Sequence, residues 1–114
     1  MTQFQNVVLR NLGAEIRSRL CLQPVEFELK HEIEYPGKPI DHLYFVEEGM
    51  ASMTTTFMDG SQVEVGMFGY ESVIGISALM GTKLSLNRVY TQIAGHGYAC
   101  GIETARREFD RRVR

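Results

Sequence analysis

The sequence is short of several things, and each shortage removes a class of function. It holds no apolar run long enough to span a membrane and no signal-peptide pattern at its N-terminus. A cytoplasmic location with no membrane partner is therefore expected. Its two cysteines, Cys21 and Cys100, lie far apart in sequence. They form no CxxC pair and are too few for a disulfide framework, which fits reduced thiols. Neither sign of charge prevails: 12 Lys+Arg stand against 14 Asp+Glu, a formal net charge of -2. Affinity for nucleic acid comes mainly from Lys and Arg neutralising phosphates, so this segment is not expected to bind nucleic acid directly. The histidines, His31, His42 and His96, show no HxH, HExxH or paired His-Cys spacing, so no metal site is expected. No serine lies in a GxSxG elbow, and neither cysteine has neighbours that would activate it as a nucleophile. The chain does not read as an enzyme. Internal repeats and low-complexity segments are also absent.

What is present is ordinary globular composition, 44% hydrophobic and 23% charged over 114 residues, the size of one domain. Residues 1–20 read as helix, because Val7, Val8, Leu9, Leu12, Ile16 and Leu20 recur at helical spacing. Gly13 divides this stretch in two, and Pro24 ends it. From Val25 the period becomes two: Val25, Phe27 and Leu29 alternate with Glu26, Glu28 and Lys30, giving a buried and a wet face. Short strands follow at 31–35, 43–46 and 50–57, separated by a Pro-Gly turn at 35–39 and a turn at Glu47-Glu48-Gly49. Adjacent strand residues point to opposite faces, so the Glu47-Glu48 pair reads as a solvated edge. Asp59-Gly60 signals a hairpin returning through 63–67. Strand character resumes at 87–93 and 98–102 around Gly95-His96-Gly97, and a polar helix is expected from about Glu103. The arginines of that helix, Arg106, Arg107, Arg111, Arg112 and Arg114, read as solvated surface.

These elements give a mainly β fold, an all-β sandwich or roll, with short N- and C-terminal helices. Residues 21–102 form the roll, 1–20 and 103–114 the helices. Within the roll, residues 69–86 are too apolar for a solvated loop and too glycine-rich for a long helix. A compact buried loop with one helical turn near 77–80 is expected. Buried glycines let backbone N–H groups approach a ligand closely, which makes this loop a candidate binding segment. Arg88 opens the next strand, and an arginine beside such a loop can hold a phosphate through its planar fork; a surface arginine at a strand end is the plainer reading.

The run EYPGKPIDHLYFVEEG at residues 34–49 resembles the front of a cyclic-nucleotide-binding domain of the Crp/Fnr regulator family. The Asp59-Gly60 hairpin, Val63-Glu64-Val65-Gly66, the 69–86 loop and Arg88 follow in the family's order, so the resemblance covers most of residues 14–102. It implies a jelly-roll β-roll (double-stranded β-helix) with flanking helices, whose loop is a phosphate-binding cassette. In members that bind cyclic AMP, a Gly-Glu-x-[Ala/Gly/Ser]-Leu stretch precedes an Arg-[Ser/Thr]-Ala. The glutamate holds the ribose 2′-hydroxyl, and the arginine with backbone amides holds the cyclic phosphate. Carried onto this chain, the ligand residues are Gly75, Ile76, Ser77, Ala78, Arg88 and Val89, with Arg88 as the anion anchor.

The chain departs from that pattern. Ile76 stands at the glutamate position and Val89 at the Ser/Thr position, and Glu71 lies too far before Arg88 to replace the missing carboxylate. Each lost charged hydrogen bond costs about 1.5–3 kcal/mol, on the order of 10- to 150-fold in affinity. Three readings stay open: a cyclic nucleotide, another small anionic effector, or a ligand-free dimerisation scaffold. A cupin-like metalloenzyme is a fourth, disfavoured by the missing metal motifs. The resemblance also implies a homodimer in a full-length regulator, formed by a long helix after the roll. The family's helix-turn-helix is expected to be absent here.

Overall fold

A computed structural model describes residues 4–82, 84–85 and 87–112 of the chain. Lys83 and Leu86 of the expected loop, and Arg114 of the expected C-terminal helix, lie outside the described residues. The order is α1 (Val7–Asn11), α2 (Ala14–Arg19), β1 (Gln23–Phe27), β2 (Glu32–Glu34), β3 (His42–Thr56), β4 (Gln62–Phe68), β5 (Val73–Ile74), a 3-10 helix (Ile76–Met80), β6 (Arg88–Gly101) and α3 (Ile102–Arg112). All strand pairs are antiparallel. The main sheet path is β1-β6-β3-β4, with β2 paired to β6 and β5 to β3. This is the mainly antiparallel β-roll with short flanking helices that the resemblance implies; the strand pattern alone left sandwich or roll open.

Two expected breaks are continuous strand instead. The stretches at 43–46 and 50–57 form one 15-residue strand, β3, and those at 87–93 and 98–102 form one 14-residue strand, β6. The two pair along their length, with register shifts where β3 passes from Val46 to Ala51. The glycines that look like turn signals are bend points within this paired ladder. A Cβ on Gly95 would fall on the Glu48 carbonyl, and one on Gly97 on the Phe45 carbonyl. Gly49 sits at φ +100°, and a Cβ there would lie 2.6 Å from the Ile93 carbonyl oxygen. The backbones approach so closely that only glycine fits. By contrast β1 is shorter than its alternation suggests. Lys30 takes φ +66° in the turn after it, and Leu29 is 60% exposed instead of joining the buried face.

The buried side chains form two clusters. One gathers Leu9, Leu20, Ile40, Leu43, Phe45, Cys100, Ile102 and Ala105, joining the helices to one end of the sheet. The other gathers Phe27, Val46, Ala51, Ile74 and Val89 inside the roll. Burial pushes the Cys100 thiol up to about 11.

Glu47 corrects the reading of the acidic pair. Glu48 is exposed, but Glu47 is 8% exposed and accepts from the backbone N–H of Gln5 (3.1 Å) and Asn6 (2.6 Å). Asn6 is fully buried. Its Oδ1 caps α1 by accepting from Val8 and Leu9 N–H, and its Nδ2 donates to the carbonyls of Val46 and Ser72. A buried carboxylate and a buried amide thus satisfy each other's neighbourhood and fasten α1 to β3. Gly13 separates α1 from α2 as expected, serving as the N-cap of α2.

Gly95→Ala forces a methyl group into the β3 backbone. It is expected to lower unfolding free energy by about 1–3 kcal/mol, the usual cost of overpacking. Urea denaturation reads this directly, and an unchanged midpoint would mean that the two strands do not approach as described.

Candidate functional site

The segment after β4 builds a short helix between two left-handed glycines. Gly75 (φ +96°) caps the 3-10 helix at its start and Gly81 (φ +101°) at its end. Gly75 is glycine for a second reason: a Cβ there would lie 2.7 Å from the His42 carbonyl oxygen and 3.2 Å from Ile40 Cγ2. The helical turn is where the sequence suggests, but the segment is less buried than expected. Ile74, Gly75 and Ala78 are buried, whereas Ile76 is 51% exposed and Met80 more so.

Beside this helix lies a cleft of about 320 Å³. Gly75, Ile76 and Ser77 line it, together with apolar Met53, Phe68 and Val73 and polar Glu34, Thr82, Ser85 and Asn87. The Ser85 hydroxyl lies 2.8 Å from both Glu34 Oε2 and the Asn87 carbonyl, and it accepts from Asn87 N–H at 3.2 Å. A hydroxyl has one proton to give, and the carboxylate is the stronger acceptor, so Glu34 is the partner Ser85 serves. Glu34 also borders a second cleft of about 360 Å³, lined by Lys38, Asp41, His42 and Tyr44 among others. Burial, with the Asp41 and Glu34 carboxylates adding to it, pushes the Tyr44 phenol above its ordinary range.

The six residues singled out from the sequence do not all meet there. Gly75, Ile76 and Ser77 line the cleft, and Ala78 is buried beneath the helix. Val89 is 1% exposed, with its side chain in the inner core cluster. Arg88, its neighbour on β6, points to the opposite face. There its Nε lies 3.4 Å from Glu32 Oε1, close enough for charge attraction but not aligned as a hydrogen bond. Glu71 is exposed and outside the cleft lining. Among the described residues, the ionisable side chain lining the cleft is the carboxylate of Glu34. Nothing in the sequence marks it: it closes strand β2 just before the Pro-Gly turn, where a glutamate looks solvated. The register shift between Glu32 and Glu34 separates the two acids, one to Arg88 and one to Ser85.

Arg106 was expected on a solvated helix face. It instead donates from Nη2 to the Ala78 carbonyl at 2.9 Å while Nη1 pairs with Glu103 at 2.7 Å. Two residues on, Glu108 accepts from Arg19 Nε at 2.9 and 3.0 Å. Helix α3 is thereby tied to the 3-10 helix on one side and to α2 on the other. Among the described residues, no group of three or more His, Cys, Asp or Glu side chains is disposed to hold a metal ion. Nor is any helix among them long and apolar enough to cross a membrane.

Arg106→Ala removes the link from α3 to the helix. Because Arg106 is partly exposed, a global loss of about 1 kcal/mol or less is expected. The amides of residues 76–82 should nevertheless exchange with deuterium faster, while the β3–β6 ladder is unchanged. Uniform acceleration across the chain would show that Arg106 serves general stability only.

No family model matches the chain. It is 28% identical over 87 residues to the global nitrogen regulator of Synechococcus elongatus, covering 76% of this chain and 37% of that protein. The chain thus spans just over a third of the length of the curated relatives it matches. Among solved structures, DNR from Pseudomonas aeruginosa superposes with a TM-score of 0.79 at 12% identity, over 96% of this chain and 53% of that one. The regulatory domain of Toxoplasma gondii protein kinase A, solved with cAMP, gives 0.74 at 23% identity, over 94% and 41%. The resemblance read from residues 34–49 therefore holds in three dimensions, and the chain has the cyclic-nucleotide-binding β-roll fold.

Proposed function

We propose that residues 1–114 are a sensory domain of Crp/Fnr type that takes a small nucleotide-like effector in the cleft beside the 3-10 helix, and that its role is regulatory, not catalytic. The observation that carries this reading is the cleft itself. Two left-handed glycines hold a short helix against it, and Arg106 links that helix to α3. The relatives add support: one is a named regulator, and a solved neighbour holds cAMP in the same fold. Gly75, Ile76 and Ser77 contact the effector, with Ala78 supporting the turn. Arg88 reaches it only by leaving Glu32.

An effector shifts a two-state equilibrium only by binding one state better than the other. Here the two states are two positions of the 3-10 helix relative to α3. In a longer regulator that displacement would be read by a paired subunit, as a cytoplasmic homodimer. A second reading has one observation in its favour. Arg88 faces Glu32, and Val89 is in the core, which fits a ligand-free interaction scaffold.

The test is a titration of isotopically labelled protein, followed by amide chemical shifts, with nucleosides, cyclic mononucleotides and a cyclic dinucleotide. The sensory reading expects saturable shifts at residues 75–78, 85 and 87 for at least one of these. No shifts with any of them, or shifts scattered outside the cleft, would leave the scaffold as the better account.

A further inference from the structure

We infer that the cleft selects an uncharged, hydroxyl-bearing nucleoside and discriminates against its cyclic phosphate. This rests on the reading of the cleft as an effector site. Among the described residues that line the cleft, Glu34 contributes a carboxylate and none contributes a cation. Arg88, which could supply one, lies on the other face of β6 beside Glu32. An anion placed beside the Glu34 carboxylate would meet a like charge, while a phosphate needs the opposite.

The same carboxylate suits hydroxyl groups. The Ser85 hydroxyl takes one lone pair of Glu34 Oε2 at 2.8 Å and holds the side chain in place. Oε1 has no partner among the described hydrogen bonds. A carboxylate so held accepts readily from neighbouring hydroxyls, such as the two on a ribose. The exposed Ser77 adds a further donor and acceptor. The remaining surface is apolar: Met53, Phe68 and Val73 provide a floor for a flat base. A volume near 320 Å³ is at the small end of ligand sites and accommodates a molecule of nucleoside size. An apolar floor with one oriented acceptor is a site for a flat ring carrying a diol.

Glu34 is therefore a specificity-determining residue: it accepts from the sugar and repels the phosphate. Glu34→Gln keeps the shape and an acceptor for Ser85 but removes the charge, so it separates these two effects from a loss of fold.

The experiment is calorimetric titration of the full chain with adenosine, guanosine and the 3′,5′-cyclic monophosphate of each, on the parent and on Glu34→Gln. The expected result is that at least one nucleoside binds tenfold or more tightly than its cyclic monophosphate. That ratio should fall at least fivefold in Glu34→Gln. A cyclic monophosphate that binds the parent as well as or better than its nucleoside overturns the inference while leaving the effector site standing. A ratio unmoved by Glu34→Gln overturns the role given to Glu34. No binding by either class overturns both the inference and the reading beneath it. The parent's ratio decides the first point even if the variant fails to fold.

Discussion

The close approach of β3 and β6 is the constraint on which the rest depends. Each strand is long enough to cross the whole roll, and they can stay paired through the bend only because Gly49, Gly95 and Gly97 carry no Cβ. Straight, these strands would form a flat ladder. Bent together, they curl the sheet so that Phe27, Val46, Ala51, Ile74 and Val89 meet inside it. Burial of this cluster, with the one that joins the helices to the sheet, supplies the driving force, and the glycines decide the shape in which they can be buried. The short strands β1, β2, β4 and β5 then add to edges that the two long strands have already curved.

Positioning of the cleft follows from how the ends are fastened to this ladder. The buried Asn6 amide and Glu47 carboxylate hold α1 to β3, and Asn6 also reaches the Ser72 carbonyl just before β5. The Val7 N–H donates to the Tyr70 carbonyl at 2.8 Å. The chain entering the 3-10 helix is thus anchored at two points by the N-terminus. On the other side Arg106 holds the Ala78 carbonyl, and Arg19 with Glu108 joins α3 to α2. The short helix is held by buried Ala78, part of the core cluster that joins the helices to the sheet, and by these few polar contacts, so its local opening costs less than unfolding the ladder.

Much of this was legible in the sequence, for reasons that can be named. Period-two alternation located β1 as far as Phe27, Asp59-Gly60 the hairpin, and Gly13 the break between helices. Gly75 was legible as a special backbone position, and the helical turn after it was expected within a residue. What was hidden depended on which side chains meet. Glycines within a paired bend look the same as glycines in a turn, so two continuous strands were divided. An acidic pair beside a glycine looks solvated, and nothing local reveals that Glu47 receives two N–H groups from the residues that lead into a helix some forty residues earlier. The site was legible as a segment but not as a charge pattern. Arg88 and Val89 necessarily face opposite ways on a strand, and only the fold shows that Arg88 has Glu32 for company while Glu34 lines the cleft.

The central claim is that β3 and β6 form one continuous ladder through the bend, and that the cleft is built on it. Native-state hydrogen exchange tests this most directly, by following the paired amides of residues 43–46 and 51–53 in increasing denaturant. The account predicts that both stretches open only in the same global event, with equal free energies and equal denaturant slopes. Separate openings with different free energies on the two sides of Gly49 would contradict it, and would mean that the bend is a hinge between two independent sheets.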